Sequence, residues 1–384
     1  MKRFLFFSVI FCLIFLTTPC FGQGFETSDL EGTWYAYFME TNPMAGTFWV
    51  YGNFTVDDDG DITGGTYKTA DGTTVNITGG QASLDGDGLL SGTIESQGAG
   101  TTTFPSGKMD AGKTVISFVG ADTQNSLGLG VAIKGGKSFS TDDLEGTWYA
   151  YLMETNPAAG TYWVHATLIV DDEGNLTGGS YTAADGTTIN VTGGQVSMDA
   201  DGLLAGTVVA QGGLTGNFPY GKMDAGKTVI SMVGIDTQNS QDLAVAIKAG
   251  GSFSTKDLEG TWYVYLFETN PATGSYWLYG NFTVDDAGNV TGGKYTAPDG
   301  ATVDVTGGQA GISANGLVTA TIEAGDGGTG TIPTGKMDVG KTFISFVGSD
   351  TQGSMDLGVA IKRAEAGSGG TGGGSTCFIN TLMR

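Results

Sequence analysis

The chain spells out one paragraph of sequence three times, without an insertion or deletion between copies. Trp34 returns as Trp148 and Trp262. Gly107-Lys108-Met109-Asp110 returns at Gly221 to Asp224 and at Gly335 to Asp338, every landmark displaced by 114 positions. Self-similarity at a fixed period sets the domain count before any chemistry is considered. It also bears on function, because a catalytic site is usually built once, whereas a binding surface or a spacer gains from being copied.

Within a copy the pattern is that of strands. Beyond a short turn at Thr27 to Leu30 there is no helical periodicity, and alternation of period two takes its place. In Leu127-Gly128-Leu129-Gly130-Val131-Ala132-Ile133-Lys134 the large apolar residues share one parity and the small or charged ones the other. The third copy sets Met355, Leu357, Val359 and Ile361 against Asp356, Gly358, Ala360 and Lys362. One face is expected in the core and the other in water. Turn signals rich in Asp, Asn and Gly arrive about every dozen residues, at Asn42-Pro43, Asp57 to Asp61, Asp71-Gly72, Asp85 to Gly88, Gln97 to Gly100, Asp110 to Gly112 and Asp122 to Ser126. Seven turns separate eight strands, and sequential antiparallel strands of that number close most economically into an up-and-down barrel, which removes the edges. The fold class is therefore all-β, with three tandem eight-stranded antiparallel barrel-like domains. The rival is a six-bladed β-propeller with two blades per repeat. The run Gly32-Thr33-Trp34-Tyr35 resembles the opening strand of lipocalin-like and avidin-like barrels, where a Gly-x-Trp plugs one end. The linkers Gly135 to Asp142 and Ala249 to Lys256 are short. Phe139 and Phe253 within them, like Phe25, are expected to cap the bottom of their own barrels, and the barrels to form a rod.

The ends of the chain read as an address. Lys2 and Arg3 precede an apolar run, Phe4 to Leu16, too short for a comfortable membrane span, and cleavage near Gly22 makes residues 1–22 a signal peptide. Repeats then occupy 23–134, 135–248 and 249–363. A Gly/Ser/Thr-rich linker follows at 364–376, with a tail at 377–384. Removal of Cys12 and Cys20 leaves Cys377 alone, so no intramolecular disulfide forms. The tail, Gly-Gly-Gly-Ser-Thr-Cys377-Phe378-Ile379-Asn380-Thr381, resembles the CFI-box tail of exported Gram-negative bacterial proteins. That resemblance implies a sorting or attachment signal with Cys377 as the modified residue. It departs from the pattern in stopping at Arg384. The expected location is the cell surface, the periplasm or the extracellular space, with no transmembrane segment in the mature chain. Seventeen Lys and Arg against 40 Asp and Glu, a net charge of -23, argue against nucleic acid or an anionic membrane as partner.

Few motifs carry chemistry. Gly107 to Thr114 fits the P-loop pattern G-x-x-x-x-G-K-S/T, but Val115-Ile116-Ser117-Phe118-Val119 continues it as a strand, where a P-loop needs a helix. The acidic turn with Asp57, Asp59 and Asp61 offers weak calcium ligands, thinning to Asp171-Asp172-Glu173 and Asp285-Asp286-Ala287 in the later copies. The single histidine, His165, replaces Tyr51 and Tyr279, and no Ser-His-Asp set can be assembled three times. A carboxylate hydrolase would have to use Glu40 with a turn aspartate. The remaining candidates are aromatic. Along Thr47 to Val56 the even positions Phe48, Val50, Phe54 and Val56 belong inside, which places Trp49 and Tyr51 outside beside Tyr35 and Tyr37. The ridge repeats as Tyr149, Tyr151 and Trp163 with His165, and as Tyr263, Tyr265, Trp277 and Tyr279. If exposed, such rings would stack on sugars; the other reading is that the ridge packs against the next barrel, or that the parity is reversed. The sequence thus describes an exported, surface-associated, non-catalytic repeat protein without cofactor, its expected partner a polysaccharide or another surface protein. The alternative is a carrier with a small apolar ligand inside each barrel.

Overall fold

A computed structural model describes residues 24–136 and 138–364. The expected signal peptide with Cys12 and Cys20, and the expected linker and tail with Cys377, lie outside the described residues. The first copy opens with a 3-10 turn at Thr27–Leu30. Eight strands follow: β1 Gly32–Asn42, β2 Gly46–Val56, β3 Ile62–Thr69, β4 Thr74–Leu84, β5 Leu89–Ser96, β6 Gly100–Met109, β7 Val115–Asp122 and β8 Leu127–Lys134. Each pairs antiparallel with the next, and β1 closes on β8 through Trp34 opposite Lys134 to Thr41 opposite Leu127. The second and third copies form the same closed barrel. Closure within a repeat rules out the propeller.

Turn chemistry explains the hairpins. Asp57 Oδ1 accepts the backbone N–H of Asp59 (3.2 Å) and Asp61 (2.8 Å), and Asp85 Oδ1 those of Asp87 (3.0 Å) and Leu89 (2.8 Å). Gly60 takes the positive φ (+87°) that closes the first of these turns, and a Cβ there would lie 2.2 Å from the Ala82 carbonyl oxygen. The P-loop-like run is another such turn. Asp110 caps the N–H groups of Gly112, Thr114 and Val115, and the chain runs straight into β7.

One end of each barrel is plugged. Trp34 is fully buried, its indole N–H donating to the Leu30 carbonyl at 2.7 Å, and Trp148 and Trp262 repeat the bond. Below it lie Phe25, Phe139 and Phe253, each in the core of its own barrel as expected. The lysine of each Gly-Lys-Met-Asp run is buried beside this phenylalanine. Lys108 Nζ sits 4.4 Å from the Phe25 ring centre and donates to the carbonyls of Asp87 (2.6 Å) and Met109 (2.9 Å). Burial draws its ammonium down to about 8.

The outward faces differ from expectation in two ways. First, the barrels do not form a rod. Each packs against both others, so that the chain closes a three-membered ring. The first contact joins Trp49 N–H to Gln241 Oε1 (3.2 Å) and stacks Tyr51 on Tyr220 (4.4 Å between centres). Ser106 Oγ lies 3.4 Å from Tyr265 Oη, and Arg363 forms a two-pronged pair with Asp87, at 2.8 and 2.9 Å. Tyr151 hydrogen-bonds Thr334. Two apolar clusters draw on all three copies, one around Met39, Leu129, Met153, Leu243, Phe267 and Leu357, the other around Val131, Ile133, Val245, Ile247, Val359 and Ile361.

Second, β8 turns its large side chains outward. Leu129, Val131 and Ile133 are fully buried in the ring, while Gly128 and Ala132 face the barrel interior. The small parity does not meet water because rings from neighbouring strands already fill that space. A Cβ on Gly130 would lie 2.6 Å from Phe38 and 2.8 Å from Phe118. Gly130→Ala is therefore expected to destabilise the protein by about 1–3 kcal/mol through overpacking, read as a lowered melting temperature.

Candidate functional site

The barrel end opposite the tryptophan plug is open. In barrel 1 it leads into a cavity of about 380 Å³ whose wall includes Phe38, Val50, Phe54, Ile77, Ile94 and Phe104. Glu40, Asn42, Tyr67, Asp122, Gln124 and Ser126 also line it. The inward parity of β2 delivers Phe48, Val50 and Phe54 to this space, as the alternation required. The interiors of barrels 2 and 3 hold smaller cavities of about 140 and 160 Å³. Register shows one difference between the interiors. On β1, Glu40 stands between Phe48 on β2 and Gly128 on β8. Its counterpart Glu154 stands between Tyr162 and Asp242, and Glu268 between Tyr276 and Asp356. Barrel 1 thus lacks one hydroxyl and one carboxylate that the others place inside.

These interior carboxyls are desolvated. Burial pushes Glu40 up to about 7, with Asp122 adding to the effect and a Ser126 hydrogen bond opposing it. Burial also raises Glu154 and Glu268, and carries Asp242 and Asp356 well above the ordinary aspartate range, with the facing glutamate adding to the rise in each. The Tyr162 hydroxyl donates to Glu154 Oε1 at 2.5 Å, and Tyr276 donates likewise to Glu268. Asp122 is held by its turn. Oδ1 accepts the N–H groups of Gln124 and Ser126 at 2.8 Å, and Oδ2 the Ser126 hydroxyl at 2.9 Å. Glu40 and a turn aspartate do share a cavity, but the aspartate's oxygens are committed to capping.

The predicted aromatic ridge exists as a set of residues facing out of their own barrel, but it is not an exposed surface. Tyr37, Tyr151 and Tyr265 are at most 1% exposed, and Trp49, Trp163 and Trp277 at most 8%. Tyr35, Tyr51, Tyr149, Tyr263 and Tyr279 are half-buried against the same shared cluster. The correction has a simple cause: an outward aromatic row is equally suited to a neighbouring barrel, and the ring supplies one. His165, half-buried beside Trp163 with its basicity lowered by burial, belongs to this packing as well. Asp57, Asp59 and Asp61 do not converge. Among the described residues, the acids that do are Asp171, Asp172 and Glu173, at the surface of barrel 2. Asp242 and Asp356 escaped sequence reasoning because they sit on the small-residue parity assigned to solvent. Aligning the copies shows the signal, an acid where barrel 1 has Gly128.

Fold and interior together define tandem closed eight-stranded barrels with apolar, acid-mouthed interiors. No protein-family model and no curated protein matches the sequence. Among solved structures, isotype 1 transferrin binding protein B from serogroup B Neisseria meningitidis matches at 12% identity, covering 87% of this chain and 77% of that one, with a TM-score of 0.30. A double mutant of the Haemophilus parasuis protein of the same name matches at 9% identity over 86% and 75%, with a TM-score of 0.27. A DUF3598-family protein of unknown function from Nostoc punctiforme matches at 14% over 57% and 96%, with a TM-score of 0.24. Likeness at this level assigns no ligand.

Proposed function

We propose that this chain is an exported, surface-associated, non-catalytic binding protein whose first barrel holds a small, mainly apolar ligand. The carrying observation is the cavity of about 380 Å³, which falls within the roughly 300–1,000 Å³ of small-molecule pockets and joins apolar walls to a few convergent polar groups, as such pockets do. The leader at residues 1–22 and the CFI-like tail with Cys377 supply the export and attachment parts of this reading. The covering of Tyr37, Trp49 and their counterparts withdraws the surface on which a polysaccharide would stack, which favours the interior over the exterior. The commitment of the Asp122 oxygens to its turn disfavours a carboxylate hydrolase.

The test uses the neutral fluorophore N-phenyl-1-naphthylamine. Saturable enhancement is expected with the full chain. Phe48→Tyr with Gly128→Asp copies the interior of barrels 2 and 3 into barrel 1 and so is compatible with the fold. It is expected to weaken binding about tenfold or more, by filling the cavity and placing a carboxylate there. Absence of saturable binding, or binding indifferent to the double substitution, would refute the assignment.

A further inference from the structure

The acids of barrels 2 and 3 are more than the trim of a smaller cavity. Glu154 lies directly opposite Asp242, and Glu268 directly opposite Asp356, on the inward face of paired strands. Their Cβ atoms are therefore about 5.5 Å apart or less. Two carboxylates so placed in an apolar lining are stable together only with a proton or a cation between them. Asp242 is 5% exposed and Asp356 8%, yet Oδ1 of each has no hydrogen-bond partner. Tyr181 Oη, on the wall of the same cavity as Asp242, is also without a partner. Barrel 2 therefore aims two unsatisfied polar atoms into a cavity whose wall is mainly apolar, with Glu154 and Asp236 as its other acids.

We propose that barrels 2 and 3 bind a small primary amine, its ammonium group held between Glu154 and Asp242, or Glu268 and Asp356, and its apolar body in the cavity beneath. The proposal rests on the carrier reading and names the ligand class for the other two barrels. A primary ammonium brings three donors and no acceptor, matching the unpartnered Asp242 Oδ1, the opposing glutamate and Tyr181 Oη. Its charge compensates two facing acids in a way that an alcohol or a fatty acid does not. A hard metal ion would need several oxygens converging on one point. Asp236, the third acid of the barrel 2 cavity, instead accepts the N–H groups of Gln238 and Ser240 at Oδ1 and the Ser240 hydroxyl at Oδ2. Among the described residues, acid trios close enough for a metal occur only at the surface. Cavities of about 140 and 160 Å³ are the size that admits one benzene ring, so the body of the amine is about that large. Barrel 1, with Gly128 opposite Glu40, lacks the second acid and is the internal control.

Calorimetric titration of the full chain with 2-phenylethylamine, 2-phenylethanol and 3-phenylpropionate tests this. The amine is expected to bind about tenfold or more tightly than the alcohol, since its contacts are charge-assisted, and the acid not at all. Asp242→Asn with Asp356→Asn preserves shape and is expected to erase the preference while leaving N-phenyl-1-naphthylamine binding in barrel 1 intact. Equal affinity for amine and alcohol, or amine binding unchanged in the double variant, would overturn the proposal. If the fluorophore binds and the amine does not, the proposal alone fails. If neither binds, the carrier reading fails with it.

Discussion

A single repeat, residues 24–136, is expected to sediment as a trimer. In the intact chain Tyr37, Met39, Val119, Leu129, Val131 and Ile133 are fully buried, and they are buried by the other two barrels. Cut free, one repeat would carry these side chains as a contiguous apolar patch of the kind that soluble monomers rarely expose. The contacts are also cyclic. The tyrosine at Tyr265 meets Ser106 of the first copy, Tyr151 meets Thr334 of the third, and Tyr51, directly opposite Tyr37 across β1 and β2, stacks on Tyr220 of the second. Each copy thus offers one patch to the copy that follows and another to the copy that precedes, a head-to-tail interface whose rotation closes after three. Identical chains can satisfy that geometry as well as a tandem one. Sedimentation velocity would decide. A soluble monomer at micromolar concentration would mean that the faces buried here are not what holds the ring. Leu129→Asp in the intact chain is the matching perturbation. It buries an unpaired charge where no polar partner is available and is expected to cost about 4 kcal/mol or more.

How much of this was legible in the sequence depends on the sign of each alternation. The repeat length, the strand count and the Asp-x-x-Gly turns could all be read, because each rests on local backbone chemistry. The Trp34 plug was what the resemblance to lipocalin-like and avidin-like barrels implied, and the inward set Phe48, Val50 and Phe54 followed from parity. Parity separates two faces without saying which one meets water. Leu129, Val131 and Ile133 read as the wall of their own barrel and line the ring instead. Trp49 and Tyr151 read as a surface and are covered. Both errors share a physical origin, since an apolar face does not encode whether its partner belongs to the same domain or the next. The acid pairs were harder still. Glu154 and Asp242 meet only through the register of the closing strands, and nothing near either residue in sequence announces the other.

The protein is expected to lose stability as pH rises from about 4.5 to about 7, the reverse of the behaviour of paired surface carboxylates. Glu40 shows the sign. Its folded-state value is raised to about 7 from an ordinary 4.5, so the native state binds the proton more tightly than the unfolded chain. Below 4.5 both states are protonated and there is no penalty. Between the two values the unfolded chain ionises freely while the native carboxyl resists, and above 7 the whole difference is felt, on the order of 3 kcal/mol for this one group. Glu154, Asp242, Glu268 and Asp356 are raised in the same direction. The carboxyls lowered by lysine, Asp29, Asp143 and Asp257, lose their contribution only below 3.8 and so leave this window untouched. General repulsion in a chain of net charge -23 would also grow with pH, and Glu40→Gln separates the two effects. The variant removes one buried ionisation and leaves the surface charges in place. Its melting temperature is therefore expected to match the parent near pH 4.5 and exceed it at pH 8. A parent protein as stable at pH 8 as at pH 5, with no gain from Glu40→Gln, would show that water reaches these acids inside the barrels. It would also remove the desolvation that makes the interior of barrels 2 and 3 a site for a cation.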